Sequence, residues 1–117
     1  MRDFRHLDVW HKAHAFVLNV YGITEHFPKI ETFGLAATLR RGASRIAMKI
    51  AEGAGQDTRE DLIHCMQAAR ATGMEVEYQL LLARDLHFIE PSTYEALQHQ
   101  LIEVRKMLSG LIRPQPI

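Results

Sequence analysis

Residues 33–54 read FGLAATLRRGASRIAMKIAEGA, and the spacing of their apolar members decides the fold class. Leu35, Leu39, Ala43, Ile46 and Ile50 follow one another at intervals of four, four, three and four residues, which keeps them on one side of an α-helix. A half-buried strand would alternate at every second residue, and nothing here does. One helix is therefore expected over about 33–54, with Gly53 and Gly55 ending it. On the side opposite that seam, Arg41, Arg45 and Lys49 recur every four residues and stack into a basic ridge facing away from the core.

The same periodicity continues in both directions. From Leu7 to about Thr24, the residues Val9, Ala13, Phe16, Val20 and Ile23 form a comparable seam, which Phe27-Pro28 interrupts. Asp57-Thr58-Arg59-Glu60 has the form of a capping box and opens a helix expected over 58–86, roughly 43 Å long and able to overhang its partners. Ser92-Thr93-Tyr94-Glu95 repeats the capping pattern after Pro91. It leads into a helix expected over 92–111, with a seam of Tyr94, Leu97, Leu101, Val104, Leu108 and Leu111, before RPQPI ends the order. Four such helices with short connections predict an all-α, antiparallel up-and-down four-helix bundle spanning 1–117 as a single domain.

Composition narrows the function. The chain has 117 residues, 47% of them hydrophobic and 24% charged, as expected of one packed domain. Lys plus Arg number 14 and Asp plus Glu number 14, so attraction to nucleic acid or membrane must come from a local patch. Purely apolar runs such as Leu80–Ala83 are far shorter than the ~20 residues that cross a bilayer, so no membrane partner is expected. The single cysteine and the charged opening MRDFRHLD point to a cytoplasmic protein.

Two helices carry more apolar surface than one bundle uses. On the first, Trp10, Val17 and Tyr21 gather about a quarter turn from the seam, with Leu7 and Leu18 beyond them. On the third, Leu62, Met66, Val76 and Leu80 make one face while Ile63, Met74, Tyr78 and Leu81 make another. A broad stripe on one helix is ordinary, but two together would leave a monomer with a large exposed apolar patch. A homo-oligomer is expected, with Trp10, Val17, Tyr21, Ile63, Met74, Tyr78 and Leu81 at its interface. Small residues at Ala36, Ala47 and Ala51 would allow a neighbouring helix to come close.

Catalytic chemistry is sparse. A di-iron bundle needs two Glu-x-x-His pairs and two further Glu, whereas the nearest approach is Asp61 with His64. His11 and His14 are three apart but lack a third ligand, so no metal or other cofactor is expected. Cys65 has no His or Asn beside it in any nucleophile signature and reads as a small core residue. Gly53-Ala54-Gly55 follows a helix and so is no phosphate loop. Glu52, Glu75 and Glu77 suit pairing with arginines that fixes helix register. A non-enzymatic protein is expected.

Leu7-Asp8-Val9-Trp10-His11-Lys12-Ala13, Phe27-Pro28 with Glu31, Phe33, Gly34 and Leu35, Leu39-Arg40-Arg41, and Ile50-Ala51-Glu52-Gly53 together resemble the bacterial four helix bundle protein family. That family was first noticed as reading frames in intervening sequences of the 23S ribosomal RNA gene. EVEYQLLLARDLHFI, Glu75–Ile89, matches in order and spacing too. The resemblance implies a bundle that assembles into a homo-oligomeric ring, a pentamer. It extends to the accessory proteins of diversity-generating retroelements, similar rings that bind RNA and enzyme. It supplies no catalytic residues. Where the family usually carries Ser-Ile-Pro-Ser-Asn-Ile, this chain has Arg45-Ile46-Ala47-Met48-Lys49-Ile50, so Arg45 and Lys49 are its own.

Three functions compete. The favoured one is an oligomeric scaffold or adaptor that binds RNA or a ribonucleoprotein through Arg41, Arg45 and Lys49. The alternatives are a protein-binding ring with no nucleic-acid role, and an enzyme that would hold a metal or cofactor. For the basic ridge, a solvated face is the bland alternative.

Overall fold

The computed structural model describes residues 3–114. Among them are four α-helices and no strand: α1 Asp8–Thr24, α2 Leu35–Ala54, α3 Arg59–Asp85 and α4 Pro91–Ile112, with short 3₁₀ turns at Phe4–His6 and Lys29–Glu31. Gln115 to Ile117 of the RPQPI ending lie outside the described residues; Arg113 closes α4. Each helix packs on the next, and α1 closes the bundle against α4, within a body 50 × 23 × 20 Å. α3 is the longest at 27 residues, against 20 for α2 and 22 for α4.

The core is built from the predicted seams. Val9, Ala13, Phe16 and Val20 of α1 meet Leu39, Ala43, Ile46 and Ile50 of α2. Met66, Val76 and Leu80 of α3 and Leu97, Leu101, Val104 and Leu108 of α4 complete it. Beyond the seams, Phe27 is buried and rests against Phe88, ring centroids 5.5 Å apart, which seals one end of the bundle.

Thr24 is the least expected core residue. Its hydroxyl donates to the Val20 carbonyl at 2.7 Å and accepts from Arg40 Nε, also at 2.7 Å. Arg40 Nη2 donates to the Tyr21 carbonyl, and the guanidinium lies over the Tyr21 ring, 4.8 Å from its centroid. A cation at the carbonyl end of α1 satisfies orphan acceptors and complements the helix dipole. Arg40 therefore belongs to the bundle, and the outward charges of α2 begin at Arg41.

Helix ends depart from the expected pattern in three places. The cap of α3 is Thr58, whose Oγ1 accepts from Asp61 N at 3.1 Å, so the cap sits one residue after the Asp57 read from sequence. α4 starts at Pro91 with Glu90 before it; Ser92 lies inside the first turn and caps nothing, because proline already supplies helical φ at that position. Gly53 lies inside α2, whereas Gly55 caps its end as expected, though with φ −86°, outside the left-handed region.

Gly53 serves packing instead. A Cβ there would lie 2.8 Å from Met66 Cε and 3.0 Å from Cys65 Cβ of α3. Gly42 is tighter still, with Val76 Cγ2 at 2.7 Å. The two glycines let α3 come close to α2 at these two points.

The left-handed C′ position occurs where no glycine stands. His87 has φ 64° at the end of α3, with its N–H donating to Arg84 O and the Phe88 N–H to Ala83 O, both at 2.9 Å. This is the Schellman arrangement. An L side chain in that region is strained, so His87→Gly is expected to raise stability by up to about 1 kcal/mol in urea unfolding, despite glycine's entropy in the unfolded chain.

Candidate functional site

The outward face of α2 brings Arg41, Arg45 and Lys49 into one row. Arg41 and Arg45 are exposed and have no ion pair among the described residues. Lys49 differs. Its ammonium lies 3.2 Å from Glu52 Oε2, and its side chain is half-buried. That pair spans three residues along the helix and offsets one of the three ridge charges locally.

Glu52 also accepts from Cys65 Sγ of α3 at 3.4 Å. The hydrogen bond from Lys49, then the one from Cys65, holds the Glu52 carboxyl below the usual range. Burial, followed by the hydrogen bond to Glu52, pushes the Cys65 thiol up. Cys65 is half-buried at the α2–α3 seam, more open than the core position expected for it. Because alkylation needs the thiolate, iodoacetamide should label native Cys65 more slowly than the urea-unfolded chain at about pH 8, with a rate still climbing above the ordinary thiol range. Mass spectrometry of the labelled fraction measures this.

The predicted interface residues fall on two regions. Trp10 and Val17 are half-buried on α1 and, with His14, Ala47, Met48 and Ala51, line an open apolar groove of about 300 Å³ between α1 and α2. Trp10 stacks on His14 at 4.8 Å and meets Phe4 edge-on at the same distance. Tyr21 is exposed, although its ring also carries Arg40. On α3, Met74 is 53% and Tyr78 63% exposed, while Ile63 and Leu81 are half-buried. Met48 is exposed at that groove, and Leu18 adds exposed apolar surface outside it.

The histidine pair is engaged elsewhere. His11 Nε2 lies 2.6 Å from the Arg5 carbonyl, and His14 stacks on Trp10. Among the described residues no group of three or more His, Cys, Asp or Glu is placed to hold a metal ion, and no helix is long and apolar enough to cross a membrane. Of the three register glutamates, Glu77 accepts from Arg105 and Gln98 of α4. Glu52 pairs with a lysine of its own helix, and Glu75 is exposed with no ion pair among the described residues.

A family model described as 23S rRNA-intervening sequence protein matches residues 5–110, almost the whole bundle. The chain belongs to this family. A crystal structure of a protein of unknown function, from the S23 ribosomal protein family of Bacteroides thetaiotaomicron, superposes with a TM-score of 0.84 at 22% identity. The match covers 91% of this chain and 99% of that one, so the two share the whole fold. No curated protein matches the chain in sequence. In this 23S rRNA-intervening sequence protein, Arg40 ties α2 to the end of α1, while Arg41 and Arg45 are exposed at the surface.

Proposed function

We propose that the protein is a non-enzymatic scaffold or adaptor that works in the cytoplasm as a homo-oligomeric ring, a pentamer on the family resemblance. It binds RNA or a ribonucleoprotein through the basic face of α2. The observation that carries the oligomer is the apolar flank of α3: Met74 and Tyr78 stand one turn apart and more than half exposed, beside half-buried Leu81. Soluble monomers rarely keep contiguous apolar surface of that kind uncovered. The non-enzymatic part is supported by a thiol held protonated at Cys65 and by histidines engaged with Arg5 and Trp10.

For RNA, the support is the exposed pair Arg41 and Arg45 repeated once per subunit, together with the family's link to a ribosomal RNA gene. Phosphate binding grows with the number of cations engaged. Replacing Arg41, Arg45 and Lys49 by Ala is expected to weaken RNA binding and flatten its salt dependence by roughly 0.7 in log–log slope per lost single-strand contact. Lys49→Ala alone should contribute least, because Glu52 already occupies that ammonium. Fluorescence anisotropy over a salt series measures it; an unchanged slope in the triple variant would refute the RNA role.

One observation favours the protein-binding alternative. Ile30 is 90% and Phe33 94% exposed in the α1–α2 connection, apolar side chains that a partner protein could cover. Recovery of one stoichiometric protein free of nucleic acid, lost on Phe33→Ser, would favour that alternative.

A further inference from the structure

α3 and α4 leave an open groove of about 540 Å³ between them, and none of its lining residues comes from α2. Among the described residues, its walls carry Arg70, Arg105, Lys106 and Arg113 against a single carboxylate, Glu77. Glu77 is already engaged, accepting from Arg105 Nη1 and, at 2.7 Å, from Gln98 Nε2. The remaining cations have no acidic partner among the described residues. Arg70 Nη1 donates only to the neutral Ser109 hydroxyl, at 3.3 Å, and Lys106 and Arg113 are exposed. Arg105 Nε is buried without an acceptor among the described residues.

A fifth cation stands at the same end. Arg59 opens α3, where a positive charge opposes the helix dipole, yet its Nη2 donates to the carbonyls of Leu111 and Arg113, each at 3.1 Å. Those bonds hold its guanidinium beside Arg113. From Arg105 to Arg113 the cations extend over about 12 Å of α4, longer than one phosphate group. Guanidinium forks set in a concave wall match tetrahedral oxyanions, which offer several acceptor oxygens at once.

We propose that the α3–α4 groove binds the phosphates of a phosphodiester or polyphosphate chain, with Arg70, Lys106 and Arg113 making the contacts. This surface is separate from Arg41 and Arg45 and does not depend on them. The source of the phosphate is either a nucleic-acid backbone or a free polyphosphate, and two probes tell these apart. The full-length protein, a Lys106→Ala/Arg113→Ala variant and an Arg41→Ala/Arg45→Ala variant are titrated with inorganic tripolyphosphate and with a single-stranded RNA of about twelve nucleotides.

The groove variant is expected to lose affinity for tripolyphosphate by about tenfold or more. If a nucleic-acid backbone is the source, it also flattens the RNA salt slope by roughly 1.4, two contacts' worth. Loss with tripolyphosphate alone assigns the groove to free polyphosphate. Unchanged affinity for both probes overturns the proposal, as does a parent protein that binds neither. If the groove variant keeps both probes and only the Arg41→Ala/Arg45→Ala variant loses RNA, the groove proposal fails while the α2 interface stands.

Discussion

Gly42→Leu is expected to destabilise the fold by about 1–3 kcal/mol, the usual range for forcing side-chain volume into a packed contact. On an exposed helix surface the same exchange would stabilise by about 1 kcal/mol, because glycine is a poor helix former. The sign reverses because the added Cβ would lie 2.7 Å from Val76 Cγ2, which is completely buried. Valine is held in essentially one χ1 rotamer within a helix, so that methyl cannot swing aside as the end of a methionine can. Gln79 Oε1 also stands at 3.4 Å, leaving little room for a shift. Gly110→Ala supplies the contrast: nothing lies within 4 Å of its would-be Cβ, and it should gain about 0.5–1 kcal/mol. Urea unfolding at one fixed protomer concentration measures both, since oligomer stability depends on concentration.

Met74→Asp together with Tyr78→Asp is expected to convert the proposed oligomer to single 13.4 kDa chains while leaving the helical circular dichroism almost unchanged. Both side chains are more than half exposed in the isolated bundle, so carboxylates at these positions are hydrated in the monomer and cost little beyond helix propensity. In a subunit interface the same carboxylates would be desolvated and unpaired, several kcal/mol each, enough to dissolve a ring closed by repeated copies of one contact. Met66→Asp is the opposite case. Met66 is completely buried in the bundle core, and that variant should fail to fold at all.

The helices were legible in the sequence because each carries an apolar seam with three- and four-residue spacing. Val9, Ala13, Phe16 and Val20 are a clear instance, all four buried where that spacing puts them. Helix ends were less legible. The signals at Asp57 and Ser92 are short polar motifs; the neighbouring Thr58 supplies the cap hydrogen bond of α3, and α4 starts at Pro91 with no side-chain cap at all. The left-handed end of α3 falls on His87, which carries no glycine signal.

Tertiary roles were the least legible. Gly42 and Gly53 look like flexible or terminating residues in a string, and only the approach of α3 makes them packing residues. Thr24 and Arg40, sixteen residues apart, meet through the α1–α2 crossing, which no local spacing encodes. The basic ridge was visible as a period of four, but the pairing of Lys49 with Glu52 depends on side-chain direction within the turn. The α3–α4 groove joins Arg70 of α3 to Arg105, Lys106 and Arg113, residues far from it in sequence, so it emerges only in the assembled bundle.

The claim that α3 presents an intersubunit surface is tested most directly by sedimentation equilibrium of the parent protein at micromolar concentration. The predicted mass is an integral multiple of 13.4 kDa, fivefold for the proposed ring. A single species of 13.4 kDa would contradict it.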